Sequence, residues 1–206
     1  MKKGLATNLI LGVLMAGVSG VSHATVITEI EPNDTLSAAQ NVDASFSLDS
    51  AANIENSTTI PHVSIAGTGN GTYDWFKFTV SGTGNNFVLL DIDYGAEGDA
   101  SSIDSIVRLY DILENELAMN DDKANPLDYG SISNLDSWLA TTLSAGSYYV
   151  RVGDFGYSDM PISLGRDYTL NISVDNRMAP VPEPATMLLM GTGLAGLIGA
   201  RRKKKA

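Results

Sequence analysis

The chain has 206 residues, with 13 Lys and Arg against 24 Asp and Glu, two His and no Cys. Seven of the cations (Lys2, Lys3, Arg201, Arg202, Lys203, Lys204, Lys205) but only one acid, Glu183, lie in the two ends, so residues 25–180 hold 6 cations, 23 anions and a net charge of −17. That balance excludes nucleic acid as a partner, since phosphate needs clustered Lys and Arg; it also makes metal cations the natural counterpart.

The opening MKKGLATNLILGVLMAGVSGVSHA has the three-part build of a secretory signal peptide. Lys2 and Lys3 form the positive region, Leu5 to Val21 the apolar region, and Ser22-His23-Ala24 the small-x-small site. Cleavage between Ala24 and Thr25 is expected, by a signal peptidase. The domain that follows, of about 156 residues, is large enough to bury a core without disulfides.

Residues 25–175 read as one β-rich domain, because the apolar period is two rather than 3.6. In DWFKFTV, Phe76, Phe78 and Val80 alternate with Trp75, Lys77 and Thr79. In FVLLDIDY, Val88, Leu90, Ile92 and Tyr94 face one way and Asp91 and Asp93 the other. SYYVRV and DYTLNISV repeat the pattern through Tyr148, Val150 and Val152, then Tyr168, Leu170, Ile172 and Val174. Gly-rich turns at 67–72, 81–86, 96–102 and 144–146 separate these runs. Short strands at this spacing predict an antiparallel β-sandwich of jelly-roll type. Helix is expected only as a turn near Thr35 to Asn41, and the polar segment 43–60 is expected to be a long surface loop. Residues 176–184 (NRMAPVPEP) lack alternation and read as an extended linker.

Enzymatic parts are missing. After cleavage His62 is the one histidine left, in the strand-like IPHVSIAG, where a structural role is expected. There is no GxSxG, HExxH or P-loop, and paired carboxylates arise without purpose in so acidic a chain. The protein is therefore read as no enzyme, with a carboxylate-based hydrolase kept as a third reading. Two acidic clusters are candidate ligand sets. TEIEPNDT places Glu29, Glu31, Asn33 and Asp34 within six residues, the first three on one side of an extended segment. Hard oxygen donors in that arrangement suit Ca²⁺. A second cluster is Asn120, Asp121 and Asp122, after the strand-like RLYD. A solvated loop using Asn and Asp in turns is the competing account of both.

EPNDTLSAAQNV, YDWFKFTV, DSIVRLYD with NDD, LSAGSYYVRVGDFG and YTLNISV, in this order, resemble the bacterial pre-peptidase C-terminal (PPC) domain over nearly all of residues 29–174. The resemblance implies a jelly-roll sandwich, related modules of which bind collagen or glycans. It also implies a Ca²⁺ site made by the N-terminal arm and an Asp before the DW strand: Glu29, Glu31, Asn33, Asp34 and Asp74. The pattern often has a further Asp where this chain has Gly71, so Asn70, a carbonyl or water would have to supply that donor.

The tail resembles the PEP-CTERM sorting signal of Gram-negative bacteria. Pro182-Glu183-Pro184 is followed by an apolar stretch from Ala185 to Ala200 and by Arg201, Arg202, Lys203, Lys204 and Lys205. Sixteen residues make a helix of about 24 Å, slightly short of a hydrocarbon core about 30 Å thick. The basic cluster stays in the cytoplasm and snorkels to cover the shortfall. The resemblance implies an exosortase-type enzyme that cuts near the motif. It also implies inner-membrane anchoring as a precursor, followed by display at the surface or release into a matrix of exopolysaccharide or matrix protein.

The sequence thus reads as a signal peptide (1–24), a sandwich (25–175), a linker with the PEP motif (176–184) and a membrane-sorting tail (185–206). The expected role is structural or adhesive, with Ca²⁺ as stabiliser. A different class of function is a Ca²⁺-dependent glycan- or protein-binding module using Trp75, Trp138, Tyr149 or Tyr157.

Overall fold

Every segment with apolar residues at alternate positions becomes a strand. The computed structural model describes residues 26–93, 103–123, 127–156 and 158–175. Among them are β1 (Val26–Thr28), β2 (Gln40–Asn41), β3 (His62–Thr68), β4 (Asp74–Val80), β5 (Asn86–Asp93), β6 (Ser105–Tyr110), β7 (Glu116–Asn120), β8 (Trp138–Leu143), β9 (Gly146–Phe155), β10 (Asp159–Met160) and β11 (Asp167–Val174). The only helical pieces among the described residues are 3₁₀ turns at Leu36–Ala38 and Asp43–Ser45. No helix there is long and apolar enough to cross a membrane. The expected signal helix, its cleavage site, the PEP motif and the tail helix lie outside the described residues.

Two sheets face each other. One runs β1-β3-β11-β5-β8; the other runs β2-β4-β9-β6-β7, with β10 added beside β9. The long strands β3, β4, β5 and β6 alternate between the sheets, which is the crossing pattern of a jelly roll. The expected antiparallel pairing needs one amendment, because the edge pairs β1–β3 and β2–β4 are parallel. Both short strands come from the arm that precedes the sandwich. They can lie beside a strand in either direction, since no tight hairpin dictates their polarity.

The core fills the space between the sheets. Phe76, Phe78 and Val80 of β4 meet Val88, Leu90 and Ile92 of β5 and Leu170, Ile172 and Val174 of β11, all at most 1 % exposed. Each such side chain contributes roughly 1.5–3 kcal/mol on burial. Period two then sends the intervening residues to the outer faces: Trp75 and Lys77 on one side, Asp91 and Asp93 on the other.

Segment 43–60 is more than a surface loop. Phe46 joins the core, while Ile54 and Ser57 are buried and Asn53 donates to Asp93 Oδ2 at 2.9 Å. Its few apolar residues carry no periodicity, so the sequence hides that it covers the outer face of the five-stranded sheet.

Candidate metal centre

Asp74 opens β4 with the same inward parity as Phe76 and Phe78, so its carboxylate sits inside the sandwich where the strand leaves the core. Tyr168, near the start of β11, shares the inward parity of Leu170 and Ile172. The two strands belong to different sheets, and their side chains meet across the gap. The Tyr168 hydroxyl donates to Asp74 Oδ2 at 2.7 Å and lies 3.3 Å from Glu29 Oε2. Gly67, paired with Tyr168 on β3, makes room for the ring: a Cβ there would stand 2.2 Å from it. Asp74 is fully buried, and its Oδ1 has no hydrogen-bond partner.

The arm brings the other acids to this point. Glu29 N donates to the Ala66 carbonyl at 3.0 Å, and Thr68 N donates to Glu29 Oε1. Trp75 N donates to the Asn33 carbonyl at 2.9 Å, tying the arm to the start of β4. Glu31 lies between these anchors; Oε2 accepts Asn33 N at 2.9 Å and Oε1 accepts Asn70 Nδ2 at 2.8 Å. As a result Glu29, Glu31 and Asp74 each hold a carboxylate oxygen within 4.8 Å of the others, the one such group of acids or histidines among the described residues. Oxygens on opposite sides of a Ca²⁺ ion, each about 2.4 Å from it, are separated by about that distance.

The electrostatics point the same way. Burial, reinforced by the charges of Glu29 and Glu31 and opposed by the Tyr168 hydrogen bond, pushes Asp74 up to about 8. Burial also raises Glu29. Three carboxylates crowded into a half-dry site repel one another until a cation neutralises them. Asn33 is fully buried too, and neither atom of its side-chain amide has a partner. Such orphans are rare in folded proteins. The donor set fits Ca²⁺: all oxygen, mostly anionic, on an irregular arm.

Of the five arm and β4 residues expected as ligands, the structure gathers Glu29, Glu31 and Asp74. Asn33 stands beside them, joined through its backbone to Glu31 and Trp75. Asp34 is set one side chain further out, accepting from Asn70 Nδ2 at 3.0 Å and Thr72 Oγ1 at 2.8 Å, bonds that lower its pKa. Gly71 takes a left-handed φ of 94° with open space around it, and it has no side chain to offer a donor. Asn70 bridges Glu31 and Asp34 through its amide nitrogen, because Thr72 N occupies its oxygen at 2.9 Å.

The second predicted cluster is dispersed. Asn120 Oδ1 accepts Trp138 N at 2.8 Å, which fastens β7 to β8. Asp121 and Asp122 lie near Asp104, whose carboxyl is pushed up to about 6 by burial and by Asp122, Asp154 and Asp121. The candidate aromatics are likewise divided. Trp75 and Tyr149 lie on the outer face of the six-stranded sheet, where Trp75 packs 5.1 Å from Tyr110 and the Arg151 guanidinium sits 4.1 Å over Tyr73. Trp138 belongs to the other sheet, under Lys123 at 3.9 Å, and Tyr157 lies outside the described residues. His62 is buried on β3, its Nδ1 3.2 Å from the Ile60 carbonyl.

Sequence reasoning missed Tyr168 as a partner of Asp74. Inward parity gave it to the core, and only its position at the strand end lets its hydroxyl reach the acids. It also passed over Asp91 and Asp93, whose shared outward parity was legible but whose burial under loops was not.

Comparison with known proteins decides the tail. The family model for the PEP-CTERM protein-sorting motif matches residues 180–203. The chain carries a PEP-CTERM sorting motif. Such a motif marks an exported protein that its tail anchors in the membrane before an exosortase-type enzyme processes it. A structure similar to this chain is the pre-peptidase C-terminal domain of a collagenase from Bacillus anthracis, at 21 % identity and a TM-score of 0.33, covering 54 % of this chain and 87 % of that one. No curated protein matches the sequence.

Proposed function

We propose that this protein is a non-enzymatic component of the cell surface or extracellular matrix, whose β-sandwich is locked by Ca²⁺ at the N-terminal arm. The observation that carries the reading is the meeting of Glu29, Glu31 and Asp74, a buried acid whose Oδ1 has no hydrogen-bond partner. Bound there, the ion joins the arm to β4 and, through Tyr168, to β11, so it acts as a cross-link between the sheets that the absent disulfides do not provide. Outside the cell, where Ca²⁺ is millimolar, the lock is closed; a precursor that has not met the ion is looser. The acidic sandwich is then a rigid module held at or released from the surface, in a structural or adhesive role. Its partners are matrix exopolysaccharide or protein.

The test is a thermal melt of the full chain in detergent, in EDTA and in millimolar Ca²⁺, with Na⁺ and Mg²⁺ controls at constant ionic strength. A Ca²⁺-specific rise in Tm that Glu31→Ala abolishes supports the lock. Equal rises with Mg²⁺ or Na⁺ reduce the effect to screening and end this reading. For the tail, replacing Pro182, Glu183 and Pro184 by Ala is expected to leave the protein in the inner-membrane fraction.

A second reading, recognition of a specific glycan or protein, draws on the outer face of the six-stranded sheet, where Tyr73, Trp75, Tyr110 and Tyr149 surround Arg151 and Lys77. Aromatic rings beside fixed hydrogen-bond donors are suited to sugar faces and to extended peptides. Unchanged matrix binding by Trp75→Ala and Tyr110→Ala would remove it.

A further inference from the structure

The outer face of the five-stranded sheet should be bland, and it is not. In cross-strand register, β3, β11 and β5 place Ser64, Asn171 and Asp91 in one row, with Asp93 one step further along β5. All four are buried, because segment 43–60 and the turn at 127–136 cover them. Asp93 Oδ2 accepts Asn171 Nδ2 at 2.6 Å and Asn53 Nδ2 at 2.9 Å, and Asn171 Oδ1 accepts Ser64 Oγ at 2.7 Å. The turn rests directly on this carboxylate: a Cβ at Gly130 would lie 2.4 Å from Asp93 Oδ2.

What the row leaves unmade is the informative part. Asp93 is 0 % and Asp91 4 % exposed, yet Oδ1 of each has no partner. Asp128, two residues before Gly130, has both carboxylate oxygens buried and unpartnered. Four orphaned carboxylate oxygens thus come from two adjacent outward positions of β5 and the turn that covers them. Lys123 is close enough to favour the charged form of Asp91, but no salt bridge among the described residues joins it to any of the three. Its ammonium lies over the Trp138 ring instead. Uncompensated buried carboxylates are among the most costly arrangements in a protein.

We propose that Asp91, Asp93 and Asp128 form a second site for a hard divalent cation of the Ca²⁺ class, separate from the arm and on the opposite side of the sheet from the core. Asn53 and Asn171 orient Asp93 through its other oxygen, leaving Oδ1 for the ion. Asp136 closes the turn: its Oδ2 lies 3.3 Å from Ile132 N and 3.4 Å from Ser133 N, and its charge bears on both β5 acids. The three carboxylates do not already lie within 4.8 Å of one another, as those of the arm do, so chelation by all three reorients the Asp91 and Asp128 side chains toward Asp93. A cleft of about 510 Å³ opens above, lined by Asp91, Asp128, Lys123, Tyr129 and Trp138. It gives the ion an entry path and places an indole beside it.

The experiment uses the full chain in detergent, stripped of metal and dialysed against Ca²⁺, with bound ion counted by elemental analysis. The parent is expected to hold one more equivalent than the Asp91→Asn/Asp128→Asn variant, and Glu31→Gln/Asp74→Asn to lose a different equivalent. Tb³⁺ is the second readout. Its emission, excited through indole, should fall several-fold in Asp91→Asn/Asp128→Asn and in Trp138→Phe but persist in Glu31→Gln/Asp74→Asn. The Asn replacements keep side-chain shape and remove buried charge, so folding is retained. Unchanged Ca²⁺ stoichiometry in Asp91→Asn/Asp128→Asn overturns the proposal and assigns these acids as neutral, protonated groups. That outcome leaves the arm site standing, whose failure is read from the other variant.

Discussion

Asp74→Asn separates the burden of a buried charge from the benefit of a bound ion. In the folded chain Asp74 titrates at about 8, against an ordinary value of 3.8, chiefly because it is buried. The folded state therefore holds this proton where the unfolded chain has released it, and stability falls as pH rises from about 4 to about 8. Integrating between pH 5 and pH 8 gives a loss of roughly 3–4 kcal/mol from Asp74 alone. Ca²⁺ at 100 times its dissociation constant returns about 2.7 kcal/mol. Asn keeps the shape, still accepts the Tyr168 hydroxyl, and has no charge to bury. In EDTA at pH 8, Asp74→Asn is expected to be more stable than the parent by a few kcal/mol, and Ca²⁺ at 100 times its dissociation constant should narrow that gap by about 2.7 kcal/mol. Denaturant unfolding of the full chain at pH 5 and pH 8, with and without Ca²⁺, reads all of this. Asp91 and Asp93 titrate upward for the same reason, at about 9 and about 7, and steepen the slope of both proteins alike. The difference between parent and variant isolates Asp74. A variant less stable than the parent in EDTA at pH 8 would refute the argument.

Tyr168→Phe removes the donor to Asp74 Oδ2 and is expected to destabilise by about 1–3 kcal/mol; it should also steepen the fall in stability above pH 5, since that hydrogen bond holds the Asp74 pKa down. Gly67→Ala pushes a methyl into the Tyr168 ring, for an expected loss of about 1–3 kcal/mol and a smaller Ca²⁺-induced rise in Tm, both read by thermal melts. Asp159 Oδ2 accepts from both Arg108 and Arg151, so Asp159→Ala leaves Arg151 without its carboxylate partner and Arg108 with Glu116 alone; denaturant unfolding should show a loss of about 2 kcal/mol that added salt changes little.

The sheet faces were legible because a strand's period of two is a property of the backbone itself. Phe76, Phe78, Val80, Leu170 and Ile172 could point only one way together, and Asp91 and Asp93 only the other. The arm acids were legible as a set because they are neighbours in sequence. Asp74 was reached only through family likeness, since nothing local marks an Asp at the head of a strand as a partner for acids some 40 residues earlier.

The sequence by itself therefore determined the all-β class, the acid-rich arm and the sorting tail, each written in local pattern or composition. Only the tertiary structure decided which acids meet. Parity says which face a side chain takes, but the meeting of β4 and β11 across the sandwich puts Tyr168 on Asp74, and the fold of the arm adds Glu29 and Glu31. The same holds for Asp91 and Asp93. On an open sheet face they would be two solvated charges; covered by a polar loop and by the turn at Gly130, they are buried charges in want of a cation. Burial of a charge depends on what lies over it, and that is settled by contacts between segments far apart in the chain.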